Sequence, residues 1–269
     1  MRTSTAARIS LRTVALGYLV LLLAVPIVLI LWRTFGEGVG TFIDSIRTPA
    51  AISALNLSLL IVAITVPLNV VFGVGTALAL VRGRFRGRGL IQAVVDLPFA
   101  VSPIVVGVSL ILLWGSSGWF GGIENSLGIR VIFGLPGMVI ATIFVTLPFV
   151  VREVEPVLHE IGTEQEQAAS TLGASSAQTF WRITLPAIRW GLTYGVVLTI
   201  ARALGEFGAV IMVSSGFPGV SQTLTLLVHS RYIDDHNTYG AYAAATLLMG
   251  LAVLTLLLMT LLDRKRSTT

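Results

Sequence analysis

Side chains able to make or break covalent bonds are scarce in this chain. It has no cysteine, so disulfides, thiolate metal sites and cysteine nucleophiles are excluded. The single lysine, Lys265, stands in a charged C-terminal tail. Schiff-base chemistry wants a desolvated amine in a pocket. A phosphate-binding loop wants a Gly-rich turn that ends in Lys-Ser or Lys-Thr. Neither is present, so the chain does not hydrolyse ATP by itself. His159, His229 and His236 form no HExxH motif and share no metal-binding helical spacing. Gly115-Ser116-Ser117-Gly118 has the GxSG arrangement of an intramembrane serine nucleophile, which needs a histidine from another membrane helix. The fifth and sixth apolar stretches contain none, so a turn is expected there. The chain is expected to be non-catalytic, with no cofactor or metal of its own.

The charges that remain are informative because of where they stand. Arg202 and Glu206 lie in an apolar stretch, where a charge costs at least about 2.5–3.5 kcal/mol. Four residues apart, they can meet on one helix face and lower each other's cost. Two readings are open. Arg202 faces a translocation path and helps pass a dianion, with Glu206 holding it or repelling the anion when the path is closed. Alternatively, the pair locks helices together. Asp96, Pro98, Ser102 and Pro103 lie in DLPFAVSPIVVG at 96–107. Two prolines free backbone groups and bend the helix. Broken helices can line substrate paths, where free amides meet anions; a packed kink is the alternative. Asn56, Ser58, Thr65 and Asn69 read as interhelical hydrogen-bonding groups.

These residues need a membrane scaffold. The chain has 269 residues, 55% hydrophobic and 12% charged. A soluble domain usually carries about 25% charged residues. Crossing the hydrocarbon core takes about 20 mostly apolar residues. Six stretches are candidates, near 14–32, 55–81, 90–114, 136–151, 191–213 and 241–262. Backbone groups in lipid must bond internally, so the spans are helices and the fold class is all-α, with six transmembrane helices. The first stretch exceeds a signal-peptide core and lacks a cleavage pattern, so it reads as an uncleaved helix. Arg2, Arg8 and Arg12, then Arg82, Arg84, Arg86 and Arg88, then Arg152, Arg182 and Arg189, then Arg264, Lys265 and Arg266 fall on one side. Only Arg33, Arg47, Arg130 and Arg231 fall on the other. The bias puts both termini in the cytoplasm. RGRFRGR at 82–88 reads as a topology anchor, with lipid contact secondary and nucleic acid not indicated. The outer connections are about 33–54, 115–135 and 214–240. Residues 1–54 hold the N-terminal tail, first helix and outer loop; 55–262 form the transmembrane domain; 263–269 are a cytoplasmic tail.

The longest cytoplasmic connection, about 152–190, has its own pattern. Helix formers run from Glu164 to Leu172, with Glu164 and Glu166 at the start, where carboxylates suit the helix dipole. Gly173 fits a helix C-cap. Ser175 and Gln178 have capping-box spacing for a second short helix, which presents Phe180 and Ile183 on one face. Pro186 is expected to break that helix before the fifth span.

The string QAASTLGASSAQTFWRITLP resembles the EAA loop of ABC-importer permeases: Glu-Ala-Ala, three residues, Gly, nine residues, Ile-x-Leu-Pro. Ala168, Ala169, Gly173, Ile183, Leu185 and Pro186 are in register. The glutamate position is Gln167, with Glu166 beside it but pointing elsewhere on a helix. ARALGEFGAV at 201–210 resembles the fifth-span signature of sulfate and molybdate permeases. DLPFAVSPIVVG and YIDDHNTYGAYAAA at 232–245 are similar to the CysW type of sulfate permease. The resemblance covers roughly residues 55–262. It implies a type I importer permease in the bacterial cytoplasmic (inner) membrane. Such a subunit supplies half the pore for sulfate, with thiosulfate as a further substrate and molybdate or tungstate as the alternative. It implies a CysT-type second permease, two ATPase subunits that hold ATP and Mg, and an extracytoplasmic sulfate-binding protein meeting loops 115–135 and 214–240. It also implies that this loop, about 152–190, is the coupling helix docking on the ATPase, with small residues at 168 and 169 and apolar anchors at 180 and 183.

Overall fold

The computed structural model describes residues 5–122, 126, 128 and 130–266. Arg2 lies outside these, and the side chains of Arg8, Arg264, Lys265 and Arg266 are likewise not described. Every regular element among the described residues is helical. Five helices are long and apolar enough to cross a membrane, and a bent pair supplies the sixth span.

The second span, Pro49–Arg82, is the axis of the molecule. Thr48 caps it by accepting a hydrogen bond from the Ala51 amide, and Pro49 sits in the first turn, where its missing N–H costs nothing. Its 34 residues give about 51 Å of helix at 1.5 Å per residue, well beyond a hydrocarbon core of about 30 Å. Ala51, Ala54, Ser58, Ile61, Thr65, Asn69, Gly73, Ala77 and Leu80 recur every three or four residues and form its buried seam. Asn69 Nδ2 donates to Thr146 Oγ1 of the fourth span at 2.6 Å, and Ser58 Oγ accepts from the Leu224 amide at 2.9 Å. Asn56 falls off this seam and is exposed, so it joins no helix pair.

The first span, Leu11–Phe35, stands at the edge with its apolar side chains outward. It is tied to the sixth span by Thr34 Oγ1 to Thr246 Oγ1, 2.8 Å, and by the Tyr239 hydroxyl donating to the Thr34 carbonyl.

Three expectations from the sequence change here, and of two open readings of the third span one holds. The third span is a broken helix and not a packed kink. Arg88–Ala100 and Pro103–Trp114 meet at 114°. Pro103 cannot continue a helix from 99 and instead starts a new one. The fourth span does not end near 151. Its helix is Leu135–Ile161 and runs on through Pro156, because Val151, Val154 and Leu158 on one face are fully buried at that end. The fifth span does not run unbroken through 213. It stops at Leu204 and resumes as Gly208–Val213. Finally, Pro186 breaks nothing. Residues 176–204 form one continuous helical run. A π-turn at Phe180–Thr184 widens the helix ahead of the proline, so its ring meets no carbonyl one α-turn back. The same device, Val20–Ala24, precedes Pro26 in the first span.

The connection 214–237 is partly a packed element. Leu224, Leu226 and Leu227 are buried, and Arg231 is only 6% exposed. Arg231 donates to the Ser45 carbonyl, Thr48 Oγ1 and the Gly240 carbonyl, tying three segments. Burial lowers the Arg231 pKa, and the nearby Asp235 carboxylate opposes that. The exposed tip is left to Phe217 and Val220. Residues 115–118 form a turn after Trp114.

The two interrupted spans pack on each other. A Cβ at Gly107 would lie 2.5 Å from Met212 Cβ and 2.8 Å from the Ala209 carbonyl oxygen. Gly107→Ala is therefore expected to lower stability by about 1–3 kcal/mol through overpacking. Gly75, whose added Cβ would meet nothing within 4 Å, is the control. Thermal unfolding of the detergent-solubilised chain should separate the two variants; equal melting temperatures would refute the close contact.

Candidate coupling loop and permeation cleft

The loop between the fourth and fifth spans is built from local signals that agree. Glu164–Thr171 is a helix with two carboxylates in its first turn. It ends in a Schellman motif: the Gly173 amide donates to the Ser170 carbonyl and the Ala174 amide to the Ala169 carbonyl, each at 3.0 Å. Gly173 takes the required positive φ, +84°. Ser175 and Gln178 then form a reciprocal capping box. The helix, glycine turn and second helix expected from the sequence are all present.

Glu166 is the fixed point of this loop. Its carboxylate accepts from Arg82 Nε at 3.0 Å and from Thr184 Oγ1 at 2.9 Å. Arg82 is the last residue of the second span. Its Nη1 also donates to the Leu158 carbonyl at 3.1 Å, and Nη2 to the Gly162 carbonyl at 2.5 Å. These carbonyls sit at the C-terminal end of the fourth span, where helix carbonyls lack partners of their own. One guanidinium thus joins the second span, the fourth span and the loop, and Thr184 adds the start of the fifth. Both ionic side chains are about one-fifth exposed, at 20% and 21%. Gln167 is exposed and donates only to its neighbour Thr163.

Ala168 is exposed and Ala169 is buried at 8%. Phe180 turns inward against the core cluster around Leu80, Leu158 and Ile188, as does Leu185, and Ile183 is half-buried. Pro186 is exposed. The large apolar groups that stand out of the loop are instead Leu172, 89% exposed, and Trp181, 66% exposed. The π-turn explains the exchange, since it shifts the register between 180 and 184. Arg82, Leu172 and Trp181 were missed by sequence reasoning. Arg82 was visible only as one of a run of topology-setting arginines.

A second feature lies where the broken spans meet. Arg202 Nη1 pairs with Glu206 Oε2 at 2.7 Å, although Glu206 lies beyond the helix end, in the break. Its Oε1 accepts from the Ala209 amide at 2.8 Å, so the carboxylate also starts the following helix. Glu206 is 1% exposed and Arg202 33%. Arg202 borders a cleft of about 410 Å³ with residues 98–103, Val145 and Phe149. Pro98, Ser102 and Pro103 therefore share one cleft with Arg202. Asp96 does not line it. It pairs with Arg152 of the fourth span at 2.6 Å. The cleft mixes apolar side chains with Ser102 and one half-paired cation, an arrangement that suits an anion.

Residues 69–268 match the model of the binding-protein-dependent transport system inner membrane component family. A sulfate transport system permease protein CysW from Synechocystis sp. is 50% identical over 251 residues, covering 93% of this chain and 91% of the relative. The CysT permease of the same organism is 34% identical over 251 residues, covering 93% and 87%. Among solved structures, a bacterial alginate ABC transporter in complex with a pentasaccharide-bound periplasmic protein superposes with a TM-score of 0.80 at 18% identity, over 97% of this chain and 94% of that one. The similarity to CysW exceeds that to CysT along the same length, and the chain belongs to the binding-protein-dependent inner-membrane permeases, in their CysW-type branch, as a non-catalytic, multi-pass membrane subunit.

Proposed function

We propose that this chain is a permease subunit of an ATP-driven importer for sulfate, with thiosulfate passing by the same route. It forms half of the pore in the cytoplasmic membrane with a CysT-type partner, and both its termini are cytoplasmic. Two ATPase subunits, which hold ATP and Mg, dock on the 164–186 loop. An extracytoplasmic sulfate-binding protein delivers the ion to the opposite face, at the 115–135 and 214–240 connections.

The observation that carries this reading is the position of Arg202. The relatives named for sulfate transport supply the substrate class, and the cleft supplies a cation suited to it. A dianion about 4 Å from one cation gains about 8 kcal/mol at an effective dielectric of about 20. That attraction repays part of what the dianion loses in hydration. Glu206, already on Arg202 at 2.7 Å, offsets part of it and keeps the ion from being trapped. Ser102 and the backbone at the break complete the lining with polar groups.

Coupling follows from Arg82. Movement of the loop pulls the second and fourth spans through Arg82 as well as the fifth through the chain itself. Leu172 and Trp181 are the apolar contacts offered to the ATPase, with Ala168 allowing close approach.

Three outcomes are expected. Cells deleted for this gene should regain radiolabelled sulfate uptake when the wild-type chain is restored, and excess unlabelled molybdate should not compete; competition by molybdate would move the assignment to that ion. Arg202→Gln should assemble normally and lose uptake by ~10-fold or more; failure to reach the membrane would make the pair a structural lock. In purified complex, Gly173→Val strains a positive-φ cap by about 1–2 kcal/mol, and Arg82→Gln frees the Glu166 tie. Both should lower substrate-stimulated ATPase activity, and full stimulation in both would count against the coupling role of the loop.

A further inference from the structure

On the fourth span, Val145, Phe149 and Arg152 recur at spacings of four and three, so one helix face carries them in that order toward the arginine-rich end. The Arg88–Ala100 half of the third span lies beside this face and answers two of the three. Phe99 meets Phe149 edge-on, with ring centroids 5.6 Å apart and planes at 85°. Asp96 meets Arg152. Phe99, Val145 and Phe149 line the Arg202 cleft, whereas Arg152 and Asp96 do not. The aromatic pair is therefore the floor of the cleft. Arg152 lies beneath that floor, about one helical turn (~4.5 Å of rise) beyond Phe149.

The Arg152–Asp96 pair is not built as a lock. Nε at 3.0 Å and Nη2 at 2.6 Å converge on the same oxygen, Oδ1. A two-pronged pair would use both carboxylate oxygens. Among the described residues, no other protein group engages Nη1 of Arg152. The side chains are 49% and 32% exposed. Arginines that do lock this chain look different. Arg231 and Arg82 are largely enclosed, and each donates to at least three acceptors drawn from at least two other segments. Arg152 instead resembles Arg202: one carboxylate on one edge, the other edge open.

We propose that Arg152 is a second anion station on the permeation path. A tetrahedral oxyanion that has passed between Phe99 and Phe149 is taken by the open edge of Arg152. Asp96, on the Nε and Nη2 edge, neutralises part of the charge, so the ion is held weakly and leaves toward the arginine-rich end. Conduction needs sites strong enough to be entered and weak enough to be left. Two half-neutralised arginines in series, divided by an aromatic pair, meet that requirement better than one saturated or one bare cation. The proposal rests on the reading of the Arg202 cleft as the path.

The test uses the complete transporter in proteoliposomes, with radiolabelled sulfate as the probe. Arg152→Gln combined with Asp96→Asn leaves a neutral pair that can still hydrogen-bond. It should assemble at the wild-type level and lose sulfate uptake by ~10-fold or more. Because this chain has no cysteine, Arg152→Cys in the Asp96→Asn background can be modified selectively, with the other subunits made cysteine-free. A thiol reagent that adds an aminoethyl cation should restore uptake, and a neutral methylating one should not. Wild-type uptake by the neutral pair, equal rescue by the neutral reagent, or failure of the neutral pair to assemble would each overturn the proposal. Arg202→Gln is measured alongside. If it transports normally, the path reading itself is wrong. If it stops uptake while the neutral pair transports normally, only the Arg152 station is wrong.

Discussion

A helix that breaks within a bilayer leaves amides and carbonyls that lipid cannot satisfy, and such a break survives only where protein covers it. This chain breaks two of its spans, at 101–102 and at 205–207, and lays one break against the other. A Cβ on Gly208 would come within 3.0 Å of Pro103 Cβ, so the two restarting helices touch at their first turns. Glu206 closes the second break by accepting from the Ala209 amide, and Thr225 Oγ1 donates to the Glu206 carbonyl. The 224–229 helix is thereby drawn into the core, where Leu226 joins the cluster that includes Val106, Leu110 and Val210. The cleft beside Arg202 follows from this arrangement. A continuous third helix would fill the space that the 114° bend opens.

The other end of the molecule obeys a different constraint. Its core, around Leu80, Val154, Leu158 and Ile188, gathers the ends of the second, fourth and fifth spans. Arg82 then satisfies the open carbonyls of the fourth span and holds the loop carboxylate with the same planar group. Lysine could not do this, because its point charge offers no fixed fork of donors. A loop attached only through its own chain ends would move one helix. Attached through Arg82, it is part of a unit that includes three.

What was legible in the sequence was whatever local chemistry decides. The Gly173 turn, the Ser175–Gln178 box and the apolar runs of the second and sixth spans needed no partner to be read. The breaks were not legible in position. Pro98 and Pro103 both forbid a backbone hydrogen bond, yet only Pro103 starts a new helix, and Pro98 rides within one. Pro186 also follows a helical segment but is absorbed by a π-turn. The choice is made by what packs around each proline. The length of the fourth span was hidden for a related reason: Arg152 to Glu160 carry four charges and Pro156, and only the burial of Val154 and Leu158 shows that the helix goes on. Asn56 and Asn69 are the same residue type on the same helix, and only the seam facing the fourth span separates them.

The arginines carry this point furthest. Arg82, Arg152 and Arg231 are equivalent as letters, and a charge-bias count treats all three as topology markers; Arg202 is set apart only by standing inside an apolar stretch. Their roles differ by how many acceptors the fold brings to each guanidinium. Arg231, 6% exposed, is surrounded by carbonyls and hydroxyls from three segments and can only be structural. Arg82 is nearly as saturated, but one of its acceptors belongs to a loop that can be pulled. Arg202 and Arg152 each have one carboxylate and an open edge that faces space, at 33% and 49% exposure. A saturated guanidinium has nothing left to give a passing anion, and a bare one would hold it. The half-paired state is the one in which an exchange of partners costs little, and it occurs at the two arginines that stand on either side of the aromatic floor.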